Sequence, residues 1–342
     1  MAQNLIYPIA TKGHYADFTF YVRNGQVIVR PRHNLGGKGV KTLETQEVRT
    51  RLAQLVNSWK VLRSYLHNSF SDKERTQSDF NKFIQLNFDD NSIYLTKQEA
   101  RLGACVADRL IVSSGSELPS IELELVGDKR VSNICVGNLQ ISATTTVGEF
   151  AAAVSAANEW FDYRDDLFFL RLDQQWNNAF DVPRSSATCR RVYLEKGSEV
   201  KLFDQMGQDG MLVVERDGRR YLAFKEAEGS FGCYIHSRVM PDHHVSVSAQ
   251  RLEGSNAETV DDYSSPAALL KAIESYGGIN SINWFRRNSS RQPIEALLSG
   301  STGGTGGGST SGTTPGGGSG TGTGSDPTTP PATGGGDDDW SR

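Results

Sequence analysis

From Ser299 to the end, the chain consists almost entirely of glycine, serine and threonine. Between Leu298 and Trp340 it has no large apolar side chain. Such a segment cannot bury enough apolar surface to offset the entropy that its backbone would lose on ordering. The sequence therefore predicts a disordered tail over residues 299–342, and it confines any packed core to the residues before the tail.

Three carboxylates and one aromatic ring mark the end of this tail, at Asp337, Asp338, Asp339 and Trp340. An aromatic anchor beside acidic residues on a solvated coil has the character of a short docking peptide. The tip resembles the acidic ends by which bacterial single-stranded-DNA-binding proteins are recognised by partner proteins, although here Ser341 and Arg342 follow the aromatic residue. Two interpretations stay open, a partner-docking peptide and a solubilising end.

The rest of the chain, roughly 300 residues, has the length of about two domains or one large domain. Hydrophobic residues make up 37% of the whole chain and charged residues 22%, both somewhat below globular averages, largely because the tail dilutes the count; the net charge is −4. The part before the tail has the composition of an ordinary soluble protein. The first residues lack the pattern of a signal peptide, and no run of about 18 apolar residues occurs. Four widely spaced cysteines without a C-x-x-C pair indicate buried, reduced thiols, at Cys105, Cys135, Cys189 and Cys233. These features predict a cytoplasmic protein that does not enter a membrane.

The first 92 residues predict a β-hairpin followed by two helices. Residues 18–32 alternate apolar and polar side chains on both sides of Asn24-Gly25, a dipeptide typical of tight hairpin turns. Three- and four-residue spacing of apolar side chains predicts a helix over about 45–67, with a stripe at Leu52, Leu55, Val56, Trp59, Leu62 and Leu66. A second helix is predicted to begin after Ser78 as its N-cap.

From residue 93 onward β-type segments dominate. Strands are predicted over 93–96, 109–113, 121–126, 131–141, 167–172, 191–194, 211–216, 219–224, 231–239 and 244–252. Thr146 and Glu149 have the spacing of a capping box, which predicts a helix to about residue 161. Ser265-Pro266 predicts the start of a last helix, which ends at Gly277-Gly278. The predicted fold class is α+β, in four parts: 1–92, a β-rich body with one inserted helix at 93–254, a short helical extension at 255–298, and the tail at 299–342.

Three parts of the body carry a resemblance to known proteins. They are FYVRNGQVIVRPR with RTRLAQLVNSWKVLR, IYLTKQEARLGACVADRLIVSSGSEL, and GCYIHSRVMPDHHVSVSAQRL. Across most of residues 10–252 the chain resembles a family of uncharacterised bacterial proteins of unknown function from gut anaerobes. The glycine-rich end is similar to the tails of some histone-like proteins related to HU. The resemblance implies an α+β body with sandwich-like character, and no catalytic residues come with it.

The histidines His236, His243 and His244 are the best candidates for metal binding or acid–base chemistry, because a turn through 240–242 brings them near one another. Successive strand residues point to opposite faces, and only Asp242 is near enough in sequence to act as a third ligand. We therefore predict solvent-exposed turn histidines. The neighbouring serines have no nucleophile-elbow pattern and are predicted to lie on an exposed strand face, at Ser237, Ser246 and Ser248.

Two further clusters invite a functional interpretation. Asp162, Asp165 and Asp166 follow the alanine-rich helix, and their position predicts a solvated charged turn. The glycine-rich residues 36–39 lack the phosphate-loop pattern and are predicted to form a flexible turn. No catalytic, cofactor-binding or metal-binding residues are therefore assigned, and the protein is predicted not to be an enzyme.

Basic residues crowd the beginning of the chain. Arg30 and Arg32 share one strand face by the two-residue repeat. Together with nearby aromatic residues they favour contact with phosphates, and the proposed nucleic-acid set is Arg23, Arg30, Arg32, Lys38, Lys41, Arg49 and Arg51. The sequence thus predicts a non-enzymatic binding or assembly module whose partner is a protein, and the alternative is a nucleic-acid-associated protein that uses this basic region.

Overall fold

The computed structural model describes residues 41–279 with their side chains. Before them it describes the backbone of three strands, β1 (Gly13–Tyr15), β2 (Phe18–Arg23) and β3 (Gln26–Pro31). These strands pair antiparallel in a sheet of their own, with Arg23 opposite Gln26. The predicted turn at Asn24-Gly25 and the predicted tail over 299–342 lie outside the described residues.

The helices of the described chain are α1 (Leu43–Leu62), α2 (Asp79–Asn87), α3 (Lys97–Arg101), α4 (Val147–Ala157), α5 (Leu202–Met206), α6 (Ala257–Ser264) and α7 (Pro266–Ser275). Three caps predicted from the sequence are confirmed. The side chains of Ser78 and Ser265 accept hydrogen bonds from the first turns of α2 and α7, and Thr146 and Glu149 bind each other's backbone N–H reciprocally. Side-chain caps satisfy N–H groups that a helix leaves unpaired, so these starts are set locally.

The remaining strands are β4 (Ile111–Ser113), β5 (Leu123–Val126), β6 (Lys129–Cys135), β7 (Asp166–Asn177), β8 (Val182–Tyr193), β9 (Leu212–Arg216), β10 (Arg219–Lys225), β11 (Ser230–Val239), β12 (Val245–Val247), β13 (Gln250–Arg251) and β14 (Glu253–Ser255). One sheet has the order β5-β6-β10-β9. A second has the order β12-β11-β7-β8, with β14 also paired to β11. All these pairs are antiparallel, which gives an α+β architecture.

An apolar core joins these two sheets to α4. At its centre the rings of Phe169 on β7, Phe224 on β10 and Tyr234 on β11 lie 5.2 to 5.9 Å apart. A second core lies on the other face of the β12-β11-β7-β8 sheet, where Leu170 and Ile235 pack with residues of α1 and α2. Because both faces of β7 and β11 are covered by apolar groups, these two strands form the middle of the body.

Amide side chains hold the buried segment 104–107 against its neighbours. Gln54 of α1 donates to the Val106 carbonyl at 2.6 Å and accepts from the Val106 N–H at 3.2 Å. Asn57 donates to the Ala104 carbonyl at 2.8 Å. Gln174 of β7 donates to the Cys105 carbonyl at 3.4 Å and accepts from the Ala107 N–H at 2.8 Å. These contacts give buried backbone groups the partners that water cannot supply there.

The same contacts correct the predicted face of α1. Leu55 and Leu62 are buried as predicted, but Leu52 is 36% exposed. Much of the buried face is polar instead, at Gln46, Thr50, Gln54, Asn57 and Ser58. Apolar periodicity therefore could not locate this face, because amide groups that bind a neighbouring backbone occupy it.

Several predicted boundaries were wrong for tertiary reasons. Residues 93–96 form no strand; Ile93 and Leu95 are buried alternately, and the Tyr94 N–H donates to the Tyr263 carbonyl of α6. Helix α1 ends at Leu62, five residues before the predicted 67, where the chain turns. Strand β8 begins well before the predicted 191, because its register along the whole of β7 determines its length. Helices α3, α5 and α6 were not predicted from the sequence.

Candidate functional site

Strand β8 lies at the edge of its sheet, where β7 is its neighbour. The Cys105 N–H donates to the Pro183 carbonyl oxygen at 2.9 Å, so this oxygen points away from β7. In an antiparallel pair, residues whose backbone groups face the partner alternate with residues whose groups face away. The β7–β8 register continues without a bulge to the end of β8. The N–H and C=O groups of Cys189 and Arg191 therefore also point outward.

The first half of this outer edge is covered and the second half is open. Segment 104–107 lies along the beginning of β8, and Tyr65 Oη donates to the Ala187 carbonyl at 3.2 Å. Beyond that point, no residue of the described chain hydrogen-bonds the outward backbone groups of Cys189 and Arg191. An unpaired strand edge is a template for another strand, so these two residues form a possible docking edge.

An apolar groove of about 350 Å³ adjoins the open edge. It lies on the face of the sheet that packs against α1 and α2, where the turn after α1 leaves part of the face uncovered. Its apolar lining comes mainly from Tyr65, Phe168, Ile235, Val239, Val245 and Val247. Val239 is 61% exposed and Tyr65 is 40% exposed, so water reaches side chains that a binding partner would cover.

The cation of Arg191 is fixed at the junction of the edge and the groove. Its Nε and Nη2 donate to the two carboxylate oxygens of Asp166 at 2.7 and 3.0 Å. The guanidinium lies 5.8 Å from the centroid of the Phe168 ring. The hydrogen bond with Asp166 raises the pKa of Arg191, and 59% of the arginine side chain is still exposed. Arg191 is thus held in place while it faces solvent.

Arg190 adds a second cation on the opposite face of β8. Its side chain lies beside Gly207 at the end of α5 and is exposed. Across the part of the chain with described side chains, no carboxylate forms an ion pair with Arg190. The open edge therefore has a positive charge on each face, and among the described side chains a carboxylate neutralises that of Arg191.

The thiol of Cys189 lies in the groove but is a poor nucleophile. Burial raises its pKa to about 11. Only the thiolate reacts readily, and at neutral pH very little of this thiol is ionised. None of the four cysteines forms a disulfide; Cys105, Cys135 and Cys233 are buried as predicted, whereas Cys189 is half-buried. The Cys189 thiol is therefore not activated for covalent chemistry.

A buried charged cluster that the sequence analysis misjudged lies on the other face of the same sheet. Asp165 is 1% exposed and His236 is fully buried. The His236 Nε2 and Asp165 Oδ2 atoms are 2.8 Å apart, and Arg238 donates to both carboxylate oxygens at 2.8 and 2.7 Å. Burial alone would raise the pKa of Asp165, but the hydrogen bonds from Arg238 and His236 outweigh it and lower the pKa.

The cluster corrects two predictions. His236 is not an exposed turn histidine, because it packs 4.3 Å from the Phe161 ring, centroid to centroid. Asp165 does not lie on a solvated turn, because its Oδ2 also accepts from the Asp162 N–H at 2.8 Å and ties that turn to β11. A substrate cannot reach a fully buried imidazole, so the contact of His236 with Asp165 is structural.

The serines near His236 are likewise buried. Ser246 and Ser248 are fully buried and Ser237 is 8% exposed, so the predicted exposed strand face was wrong. Ser248 Oγ accepts from the His236 backbone N–H at 3.0 Å, which joins the end of β12 to β11. The Ser248 hydroxyl thus takes the place of a backbone acceptor at a sheet margin, a use that alternation of serine in the sequence does not reveal.

The remaining histidines lie on the surface as predicted. His244 Nδ1 is 2.5 Å from Asp242 Oδ1, and its Nε2 is 2.8 Å from Glu117 Oε2. The hydrogen bonds to Glu117 and then Asp242 raise the pKa of His244. His243 is exposed and has a positive φ of 67°. Over residues 41–279, no group of three or more His, Cys, Asp or Glu side chains is arranged to hold a metal ion.

Part of the proposed nucleic-acid set falls among the described residues. Arg23 and Arg30 lie on β2 and β3, where only the backbone is described. Lys41 Nζ donates to the Tyr276 carbonyl at 3.2 Å, and Arg49 donates to Gln46 Oε1 at 3.3 Å. Two residues of the set, Arg32 and Lys38, lie outside the described part of the chain. The residues at the tip of the tail also lie outside it, namely Asp337, Asp338, Asp339 and Trp340.

Arg51 has a structural role that its sequence position did not indicate. Its guanidinium donates to the carbonyls of Phe88, Asp89 and Asn91 at 2.5 to 2.9 Å and lies 4.7 Å from the Phe88 ring centroid. It therefore satisfies carbonyls that α2 leaves unpaired at its carboxyl end. Contact of the set with nucleic acid stays a prediction.

Comparison with known proteins gives no relative for this chain: no protein-family model, curated protein or solved structure matches it. The resemblance to an uncharacterised bacterial family therefore stays a prediction. Among the described helices, none has both the length and the apolar character needed to cross a bilayer. The site must be interpreted from its own geometry.

Proposed function

We propose that this protein is a protein-binding module that takes an extended segment of a partner as an additional strand along the open half of β8. The outward backbone groups of Cys189 and Arg191, which have no partner in the described chain, carry this proposal. Strand addition gains affinity from main-chain hydrogen bonds and specificity from pockets beside alternate side chains. The adjoining groove, with Tyr65 and Val239 exposed at its surface, supplies such a pocket.

The charge of the edge indicates the chemistry of the partner. Arg190 and Arg191 lie on opposite faces of the strand, so an acidic side chain meets a cation on either face of the added segment. Opposite charges on neighbouring strands stabilise pairing, and like charges directly opposite destabilise it. The occupant is therefore an extended acidic segment with an apolar side chain toward the groove. Pairing of two β8 edges with each other is disfavoured by the same arginines.

The proposal includes no catalysis and no cofactor, and it assigns the protein to the cytoplasm. Burial of His236 and the raised pKa of Cys189 support a binding role, because the His236 imidazole is out of reach of solvent and very little of the Cys189 thiol is ionised. The shared core of the two larger sheets supports a sandwich-like body. The tip at 337–340 is a second proposed contact, presented to a partner protein.

The test uses random linear peptides displayed on phage and selected against the purified full chain. Enriched peptides are then labelled and titrated by fluorescence anisotropy. Cys189→Pro should weaken binding at least about tenfold, because proline removes the outward donor and its ring blocks the added strand. The matched control, Cys189→Ala, keeps the N–H and should bind within about twofold of the original chain.

Folding of Cys189→Pro is expected because the Cys189 N–H makes no hydrogen bond to β7, and proline is tolerated on edge strands at such positions. Circular dichroism checks this. If the variant unfolds, Arg190→Glu takes its place in the experiment, because no ion pair of the described chain involves Arg190. The Arg190→Glu chain should no longer bind acidic peptides. Failure to enrich any peptide, or equal binding by every variant, contradicts the proposal.

The same anisotropy assay distinguishes the nucleic-acid alternative from strand addition. It measures the binding of labelled single- and double-stranded DNA at low and moderate salt. Phosphate contacts release counterions, so binding that uses them falls steeply as salt rises. Salt-sensitive DNA binding that an Arg30→Ala/Arg32→Ala variant loses, together with no peptide binding, would replace the present proposal by the alternative. Peptide binding without DNA binding supports strand addition.

A further inference from the structure

The sheet that does not contain β8 also ends in an exposed strand, and the charge of that strand is the opposite of that of β8. Strand β5 is the edge of the β5-β6-β10-β9 sheet. Its apolar residues Leu125 and Val126 are 48% and 43% exposed, and the side chain of Glu124 is 63% exposed. Exposed apolar side chains on an unpaired edge are unusual in a monomer unless another chain covers them.

The pairing with β6 shows which backbone groups of β5 face away. The Asn133 N–H donates to the Glu122 carbonyl at 3.1 Å, so Glu122 faces β6. Alternation along the register then makes Glu124 face β6 as well, and it directs the N–H and C=O groups of Leu123 and Leu125 outward. In the part of the chain that the structure describes, no residue hydrogen-bonds these outward groups.

The two open edges are complementary in length and charge. Each offers two consecutive outward residues, Leu123 and Leu125 on β5, and Cys189 and Arg191 on β8. Glu124 lies between the first two and Arg190 between the second two. Glu124 already meets Arg216 through its Oε2, 2.6 Å away, and its Oε1 has no such contact in the described chain. Pairing either edge with itself would instead set like charges close together.

We propose that the acidic segment taken by β8 is strand β5 of a second copy of this chain. The strands run antiparallel, with Leu125 opposite Cys189, Glu124 opposite Arg190, and Leu123 opposite Arg191. A shift by two residues toward the start of β8 would need the Ala187 carbonyl, which Tyr65 already occupies. This inference rests on the proposed function, because it names the partner of the same edge.

Such a contact joins two different surfaces, so a pair of copies keeps one open β5 edge and one open β8 edge, on different copies. A contact of this type produces rings or open chains and not closed two-fold dimers. The protein is therefore an assembly module whose copies associate head to tail. Its association should weaken as salt rises, because exposed charges are screened.

The experiment is sedimentation velocity of the full chain over a range of concentrations, with one variant for each edge. Leu125→Pro removes an outward donor of β5, and Cys189→Pro removes one of β8. The original chain should form species larger than dimers as concentration rises. Each variant alone should stop at the monomer. An equimolar mixture should form one-to-one dimers and nothing larger, because one intact β5 edge meets one intact β8 edge.

Leu125→Ala and Cys189→Ala are the matched controls, and they should assemble like the original chain because they keep the backbone donors. If a proline variant does not fold, Glu124→Arg and Arg190→Glu replace the pair. Each should then be monomeric alone, and the double variant should assemble again. The inference is overturned if the original chain stays monomeric at all concentrations. It is also overturned if the equimolar mixture of the two proline variants stays monomeric.

The failure of this inference and the failure of the proposed function have different signatures. Selected peptides that bind the β8 edge of a chain that never self-associates would refute the self-assembly and leave strand addition intact. Loss of both peptide binding and self-association would refute the two together.

Discussion

At the scale of single residues, the buried Asp165 carboxylate connects the turn after α4 with β11. It holds the imidazole of His236 and the guanidinium of Arg238, and it accepts from the backbone of Asp162. A buried charge is tolerated only where hydrogen bonds replace the lost water. Asp165 therefore determines how the turn after α4 meets β11.

Replacing Asp165 by Ala should lower the free energy of unfolding by about 3–5 kcal/mol, because the change leaves a buried polar group and a cation without their partner. The measurement is urea unfolding followed by circular dichroism. Asp162→Ala is the matched control, since Asp162 meets Arg238 at 3.1 Å with a side chain that is 72% exposed. That change should cost about 0–1 kcal/mol. Equal losses for the two variants would contradict the structural role given to Asp165.

At the scale of elements, helix starts follow local chemistry and strand lengths do not. Thr146 and Glu149 bind each other's backbone, and this reciprocal cap was recognisable from spacing alone. Strand β8 runs for twelve residues because each one is paired along β7. Its first half has few of the β-branched or aromatic residues that mark strands. The only sequence sign of an edge was Pro183, since proline in a sheet is confined to edges, first positions and bulges.

Replacing Thr146 by Ala should cost about 1 kcal/mol of unfolding free energy, because the change leaves the Glu149 N–H without its side-chain acceptor. Thermal unfolding followed by circular dichroism measures the loss. Thr144→Ala serves as the control, since Thr144 is exposed and its hydroxyl meets only Ser142. A cost for Thr144→Ala as large as that for Thr146→Ala would show that the cap is not the reason.

At the scale of the whole molecule, one core holds the two larger sheets together. Phe224 of β10 is 4% exposed and contacts the rings of Phe169 and Tyr234, which belong to the other sheet. Since the proposed docking edges β5 and β8 belong to different sheets, this core also keeps both edges on one body. Assembly through the two edges therefore depends on the shared core.

Replacing Phe224 by Ala should lower the unfolding free energy by about 3–5 kcal/mol through lost burial and the cavity left behind. Circular dichroism and tryptophan fluorescence should still report the same transition, because the two sheets share the core and unfold together. Phe180→Ala is the control, since Phe180 is 57% exposed and should change stability by less than about 0.5 kcal/mol. Separate transitions in Phe224→Ala would mean that the sheets are stable independently.

The candidate site was largely beyond sequence reasoning. The basic residues chosen as a nucleic-acid set lie near the start of the chain, and one of them, Arg51, binds the carboxyl end of α2. Arg190 and Arg191 lie in a segment predicted as a strand only from residue 191. The outward direction of the Cys189 and Arg191 backbone groups follows from a single contact, Cys105 with Pro183, between residues 78 positions apart. A contact between residues so far apart in the sequence leaves no local sequence pattern.

By itself the sequence determined what depends on neighbours along the chain: the caps at Ser78, Thr146 and Ser265, the α+β class, and the free cysteines. Capping and alternation act within a few residues, so they are visible in a linear pattern. Tertiary structure alone decided the polar buried face of α1, the buried Asp165 and His236, and the open edges of β5 and β8. Each of these features depends on contacts between residues that are far apart in the sequence. Such contacts form only when the chain folds, so no local sequence pattern reveals them.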